Sequence, residues 1–205
     1  MSAPTGTLFR SGLLAGVNVA LVPGGSHAGE LSGAVAGAAG ALAASLVELA
    51  LDGFEDEEER AGQTVRDAVG TRELDALVVD AADLFAGASA GIDGEAAFAP
   101  LRNCLDRSWD VVRTVANATL IPQGRGKVVL LAPRMDAGPH ASAARAGLEN
   151  LARTLSIEWA RYGITPTTIA PGPRTSPDEV AAITCYLVSQ AGEFFSGCLL
   201  ELGAV

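Results

Sequence analysis

Short apolar runs that return along the chain, each followed by a stretch of helical period, constrain this sequence most. Residues 17–22 (VNVALV), 75–79 (DALVV) and 127–131 (KVVLL) have the length and composition of strands buried on both faces. Residues 165–169 and 198–202 complete the series, and 45–51 (SLVELAL) reads as one more strand. Helical segments fall between them: 30–43, 63–69, 98–120, 141–161 and 177–190. The 141–161 segment carries Leu148, Leu151, Leu155 and Trp159 at helical spacing, with Glu149 four residues before Arg153 as a surface ion pair. Ser176 is the expected N-cap of the last helix, with Pro177 in its first turn. Residues 85–94 read as a Gly/Ala-rich loop, and the acidic run 54–60 (FEDEEER) as a solvated face. Strands alternating with helices predict an α/β fold, a doubly wound parallel sheet in three α/β/α layers. No repeat or linker interrupts the pattern, so residues 1–205 read as a single domain.

Composition narrows the partners. The chain has 205 residues, 49% of them hydrophobic and only 5% aromatic, so the core is built from Ala, Val and Leu. The net charge of −10 repels phosphate backbones and anionic lipid, which argues against nucleic acid and membrane surfaces as partners. Three cysteines, at 104, 185 and 198, lack metal-site spacing and read as reduced core thiols of a cytoplasmic protein, and no metal is expected. Residues 31–47 hold no charge and contain Gly33-x-x-x-Gly37. Ala and Gly are too weakly apolar to favour insertion, so this stretch reads as a helix packed on a sheet.

Three stretches carry a resemblance: GKVVLLAP, ARAGLENLARTLSIEWARYGITPTTIAPGP and SPDEVAAITCYLVSQAGEFFSGCLLELGA. Together they resemble the C-terminal half of the short-chain dehydrogenase/reductase family. VNVALVPGG and LDALVVDAA look like that family's first and fourth strands. The resemblance implies a Rossmann-like sheet, a bound NAD(H) or NADP(H), and assembly into dimers or tetramers.

The same alignment implies that the family's chemistry is missing. Active members open the long helix with Tyr-x-x-x-Lys; here those positions are Ala141 and Arg145. A phenol must exchange a proton with the substrate carbonyl, beside an ammonium that lowers its pKa and holds the ribose. Alanine has no proton to give, and arginine's planar fork is a poor stand-in for a lysine point charge. His140 is the one possible substitute acid. The family's carbonyl-polarising Ser falls on Pro133, and Asn103 and Asn117 are the only asparagines in the preceding helix. In the phosphate loop, which includes Ser26, only Gly24 keeps its place, while Gly25 and Gly29 keep the loop Gly-rich. Glu30 and Asp80 bring carboxylates toward the crevice, and Asp52 is a ribose-binding position. Gly24, Gly25, Ser26, Asp52, Asp80 and Arg145 make up a vestigial cofactor set, and the resemblance implies no cofactor or weak NAD(H), with NADP disfavoured. After residue 173 the chain runs straight into the next helix, so the substrate lid is shortened.

Three functions remain open at this point. The first is a silent subunit that pairs with an active member of the family, or with itself, through helix 141–161 and strand 194–204. The second is an atypical NAD(P)-dependent oxidoreductase for ketones or alcohols that works with His140 and Arg145. The third is a small-molecule sensor using the crevice.

Overall fold

The computed structural model describes residues 8–25, 29–50, 58–88 and 94–203. Ser26 and Asp52, two of the expected cofactor positions, lie outside them. Six parallel strands form one sheet in the order β2-β1-β3-β4-β5-β6. They are β1 (Asn18–Val22), β2 (Ser45–Glu48), β3 (Ala76–Val79), β4 (Gly126–Leu131), β5 (Ile164–Pro171) and β6 (Cys198–Leu202). The order doubles back at β1/β3, which places the topological switch, and the crevice beside it, at the C-terminal ends of these two strands. The run 75–79 is thus the third strand among the described residues. No strand lies outside β2 there, and α2 leads directly to β3.

The connecting helices are α1 (Glu30–Ala41), α2 (Glu58–Val69), α3 (Ala81–Ala86), α4 (Ala99–Val115), α5 (Ala141–Glu158) and α6 (Pro177–Val188). Side chains alternate along each strand and feed two cores. Ala20, Val22, Leu77, Val79, Val128 and Leu130 face α2, α4 and α5. Val19, Leu21, Ala76, Val78, Val129 and Leu131 face α1, α6 and the turn around Leu14. This is the expected three-layer arrangement, and its period of two follows from the pleat.

Several boundaries differ from expectation. The segment read as a loop begins as helix α3, because Asp80 caps it by accepting from the Asp83 N–H at 3.0 Å. Helix 98–120 is α-helical only to Val115; residues Ala116–Leu120 form a wider π turn leading to Ile121–Gln123, with Pro122 unable to donate into the ladder. Helix α2 starts at Glu58, inside the acidic run, and α5 stops at Glu158 before a 3-10 turn at Ala160–Tyr162. Gly33, Gly37 and Gly40 of α1 meet nothing within 4 Å of an added Cβ, so the close packing of this helix is carried by Leu31, Val35 and Ala39. Two local expectations stand. The Glu149–Arg153 pair closes at 2.6 Å, and Ser176 and Glu179 form a reciprocal capping box at the start of α6.

Candidate functional site

The site is built where β1, β3, β4 and β5 end. Asp80 follows β3 directly and is 1% exposed. One carboxylate oxygen starts α3; the other accepts the backbone N–H of Ser32 at 2.9 Å. Ser32 is the third residue of α1, so Asp80 sits on the positive N-terminus of that helix. Its backbone donors and dipole make this end the natural seat for an anion, and in Rossmann-like domains for a dinucleotide pyrophosphate. Burial holds the Asp80 carboxyl above its ordinary value, with Asp83 adding to the rise, against the N–H groups of Asp83 and Ser32 that lower it.

The glycines of the first turn serve this same contact. A Cβ on Gly24 would stand 2.2 Å from the Leu84 nitrogen, and one on Gly29 would stand 2.8 Å from Asp83 Cγ and 3.0 Å from Asp80 Oδ2. The described ends of the β1–α1 turn therefore lie against α3. What remains is a cavity of about 190 Å³, lined by Glu30, Asp80, Asp83, Pro133 and Arg134 among others. Ligand sites usually span about 300–1,000 Å³. Asp83 Oδ2 is buried there with no hydrogen-bond partner.

The expected catalytic positions take structural roles. Ala141 is 1% exposed and belongs to the core shared by α4 and α5. Arg145, 7% exposed, donates to the carbonyls of Pro133 at 3.1 Å and Pro171 at 2.8 Å, and pairs with Glu201 on β6 at 3.4 Å. Its guanidinium ties the ends of β4, β5 and β6 together. His140 adopts a left-handed φ of 68° ahead of α5, and its ring stacks on Phe98 with centroids 4.7 Å apart. It is not among the residues lining the crevice. Asn103 donates to the Leu84 carbonyl, and Asn117 lies in the π turn.

The segment where a lid would start is pinned down. Only residues 172–176 join β5 to α6. Thr175, 4% exposed, accepts from the Gly172 N–H at 2.9 Å and donates to the Leu202 carbonyl at 3.0 Å. Arg134 adds donations to the carbonyls of Gly172, at 2.6 Å, and of Thr175. Nothing in the local spacing marks Arg134, Thr175 or Glu201 for these contacts. Asp83, in contrast, stands three residues after a capping Asp, the spacing of a helix start, which was readable.

The cysteines are free; burial pushes the Cys104 and Cys185 thiols up to about 12, which leaves them inert. No group of three or more His, Cys, Asp or Glu among the described residues is placed to hold a metal. Likewise, no helix among them is long and apolar enough to cross a membrane.

This architecture defines a Rossmann-like α/β domain of the dehydrogenase type. The citronellol catabolism dehydrogenase of Pseudomonas aeruginosa PAO1 superposes with a TM-score of 0.76 at 26% identity, covering 95% of this chain and 96% of that one. The hydroxysteroid dehydrogenase of Escherichia coli gives 0.76 at 16% identity, over 95% and 98%. A short chain dehydrogenase from Mycobacterium smegmatis gives 0.72 at 18%, over 96% and 95%. In sequence, a probable 2,4-dienoyl-CoA reductase of Bacillus subtilis (strain 168) is 32% identical over an alignment of 87 residues, taking in 28% of this chain and 34% of the relative. The match thus spans about a third of that relative's length. No family model matches the chain. In fold and over the matched stretch of sequence, the chain is similar to proteins of the short-chain dehydrogenase/reductase type.

Proposed function

We propose that the chain is a catalytically silent subunit of the short-chain dehydrogenase/reductase type, acting as scaffold or regulatory partner of an active member or as a homo-oligomer in the cytoplasm. The observation that carries this reading is the Asp80 carboxylate on the Ser32 N–H at the N-terminus of α1. A dinucleotide does not fit these residues. Its pyrophosphate would meet a buried carboxylate, with Asp83 and Glu30 beside it, in a cavity of about 190 Å³. Two like charges at contact distance in a poorly solvated site repel strongly. Ala141, Pro133 and Arg145 further leave no proton donor or carbonyl polariser at the family's catalytic positions.

A scaffold needs a surface, and α5 and the β6 segment supply it in this reading. Ile157 on α5 is 76% exposed and Phe194, just before β6, is 89% exposed. Light scattering is expected to show a dimer or larger assembly at micromolar concentration, alone or with a co-expressed family member that carries Tyr-x-x-x-Lys. Ile157→Asp should weaken that assembly at least about tenfold, because it places a charge in an apolar contact. A chain that stays monomeric alone and ignores every such partner would contradict the proposal.

A further inference from the structure

A second cavity lies at the opposite end of the sheet, where strands begin. It measures about 500 Å³, and Asp75, Arg125, Lys127, Thr165 and Glu193 line it. Lys127 is the chain's only lysine; the other thirteen of its fourteen basic residues are arginines. Its ammonium is set on the C-terminal end of α6, donating to the carbonyls of Val188 (3.4 Å) and Ser189. A cation suits that end of a helix, and an arginine would supply one equally well. Lysine differs in that it can lose its proton and become a nucleophile.

We propose that Lys127 is an acylation site, modified by a small activated acyl group that enters the basal cavity. In the step, the neutral amine attacks the acyl carbonyl carbon and an N–C bond forms. The bond from that carbon to its leaving group, phosphate or thiolate, breaks, and the leaving group departs with the electron pair. The surplus proton on nitrogen passes to solvent, and nothing is oxidised or reduced. The product amide has no charge and a single N–H, so the α6 terminus loses its cationic cap and the two carbonyls compete for one donor.

The charged surroundings set how readily this happens. Burial lowers the Lys127 ammonium below its ordinary value, opposed by Glu193 in the turn after α6 and Asp75 at the start of β3. Arg125 holds Asp75 at 3.2 Å and Glu73 at 2.6 Å, which blunts the Asp75 contribution. Glu193, at the rim, is therefore the group whose removal should free more amine.

The test uses the folded chain, acetyl phosphate at about pH 8, and peptide mass spectrometry at Lys127. Acetylation is expected several-fold faster in the folded chain than in the same chain unfolded in urea, and Glu193→Gln should raise the folded rate further. A parallel arm with acetyl-CoA distinguishes donors: labelling by both supports any small activated acyl group, and labelling by acetyl phosphate alone restricts the site to acyl phosphates. A folded rate equal to or below the unfolded rate, no labelling by either donor, or an unchanged rate in Glu193→Gln would overturn the proposal.

Discussion

The double substitution Ala141→Tyr, Arg145→Lys is expected to produce no carbonyl reductase activity and a domain that melts well below the wild type. It restores the family's proton-donor motif in sequence only. Position 141 is a fully buried alanine in the α4/α5 core, so a phenol must push into packed side chains. Overpacking of that kind costs about 1–3 kcal/mol and occasionally more. Lysine at 145 forfeits the fork that reaches both the Pro133 and Pro171 carbonyls and faces Glu201. Leaving a buried carbonyl unpaired costs a further 1–3 kcal/mol or so. The sum, roughly 2–6 kcal/mol, corresponds to a Tm loss on the order of 10 °C for a domain of this size. Activity should be absent even in the folded fraction quantified by circular dichroism, because Pro133 still stands where a polarising Ser would and the 172–176 turn still lacks a lid. Turnover above background by this variant would show that the other losses matter less than the geometry indicates.

Asp80→Ala is the second large effect. One buried carboxylate serves two helices, and its removal orphans the N–H groups of Ser32 and Asp83 together. Losing a capping side chain costs about 0.5–2 kcal/mol, and a second unsatisfied buried donor raises the total to about 1.5–5 kcal/mol. The pH dependence has a definite sign. Asp80 has its carboxyl raised above its ordinary 3.8, so the folded chain holds that proton more tightly than the unfolded chain does. Its contribution to stability is therefore complete below the ordinary value and diminishes as pH rises through the raised one. Thermal melts of wild type and variant should show a wider gap in Tm near about pH 4 than near about pH 8. A gap that narrows toward acid would mean that the two N–H bonds outweigh burial.

How much of this could be read beforehand varies by element. Strands 17–22, 75–79 and 127–131 were legible because a buried parallel strand leaves an uninterrupted apolar run. The last helix was legible because Ser176, Pro177 and Glu179 encode its start locally. Helix α3 was missed: its six residues follow a strand directly, and the Gly/Ala-rich tail after Phe85 masked the Asp80 cap. The site divides in the same way. That Ala141 and Pro133 cannot do chemistry is a property of single residues and needs no structure. That Arg145 is spent on two carbonyls, that Arg134 and Thr175 fasten the 172–176 turn, and that Asp80 reaches back 48 residues to Ser32 depend on long-range contacts, to which spacing is blind. The carboxylate at position 80 was readable as a threat to phosphate; its role as the occupant of the helix terminus was not.

The central claim is that the chain's own carboxylate fills the seat a dinucleotide phosphate requires. Calorimetric titration of the wild-type chain with NADH tests it most directly. The predicted result is no saturable heat up to about 1 mM nucleotide, a binding free energy weaker than about −4 kcal/mol. A stoichiometric isotherm with a Kd in the low micromolar range would contradict it.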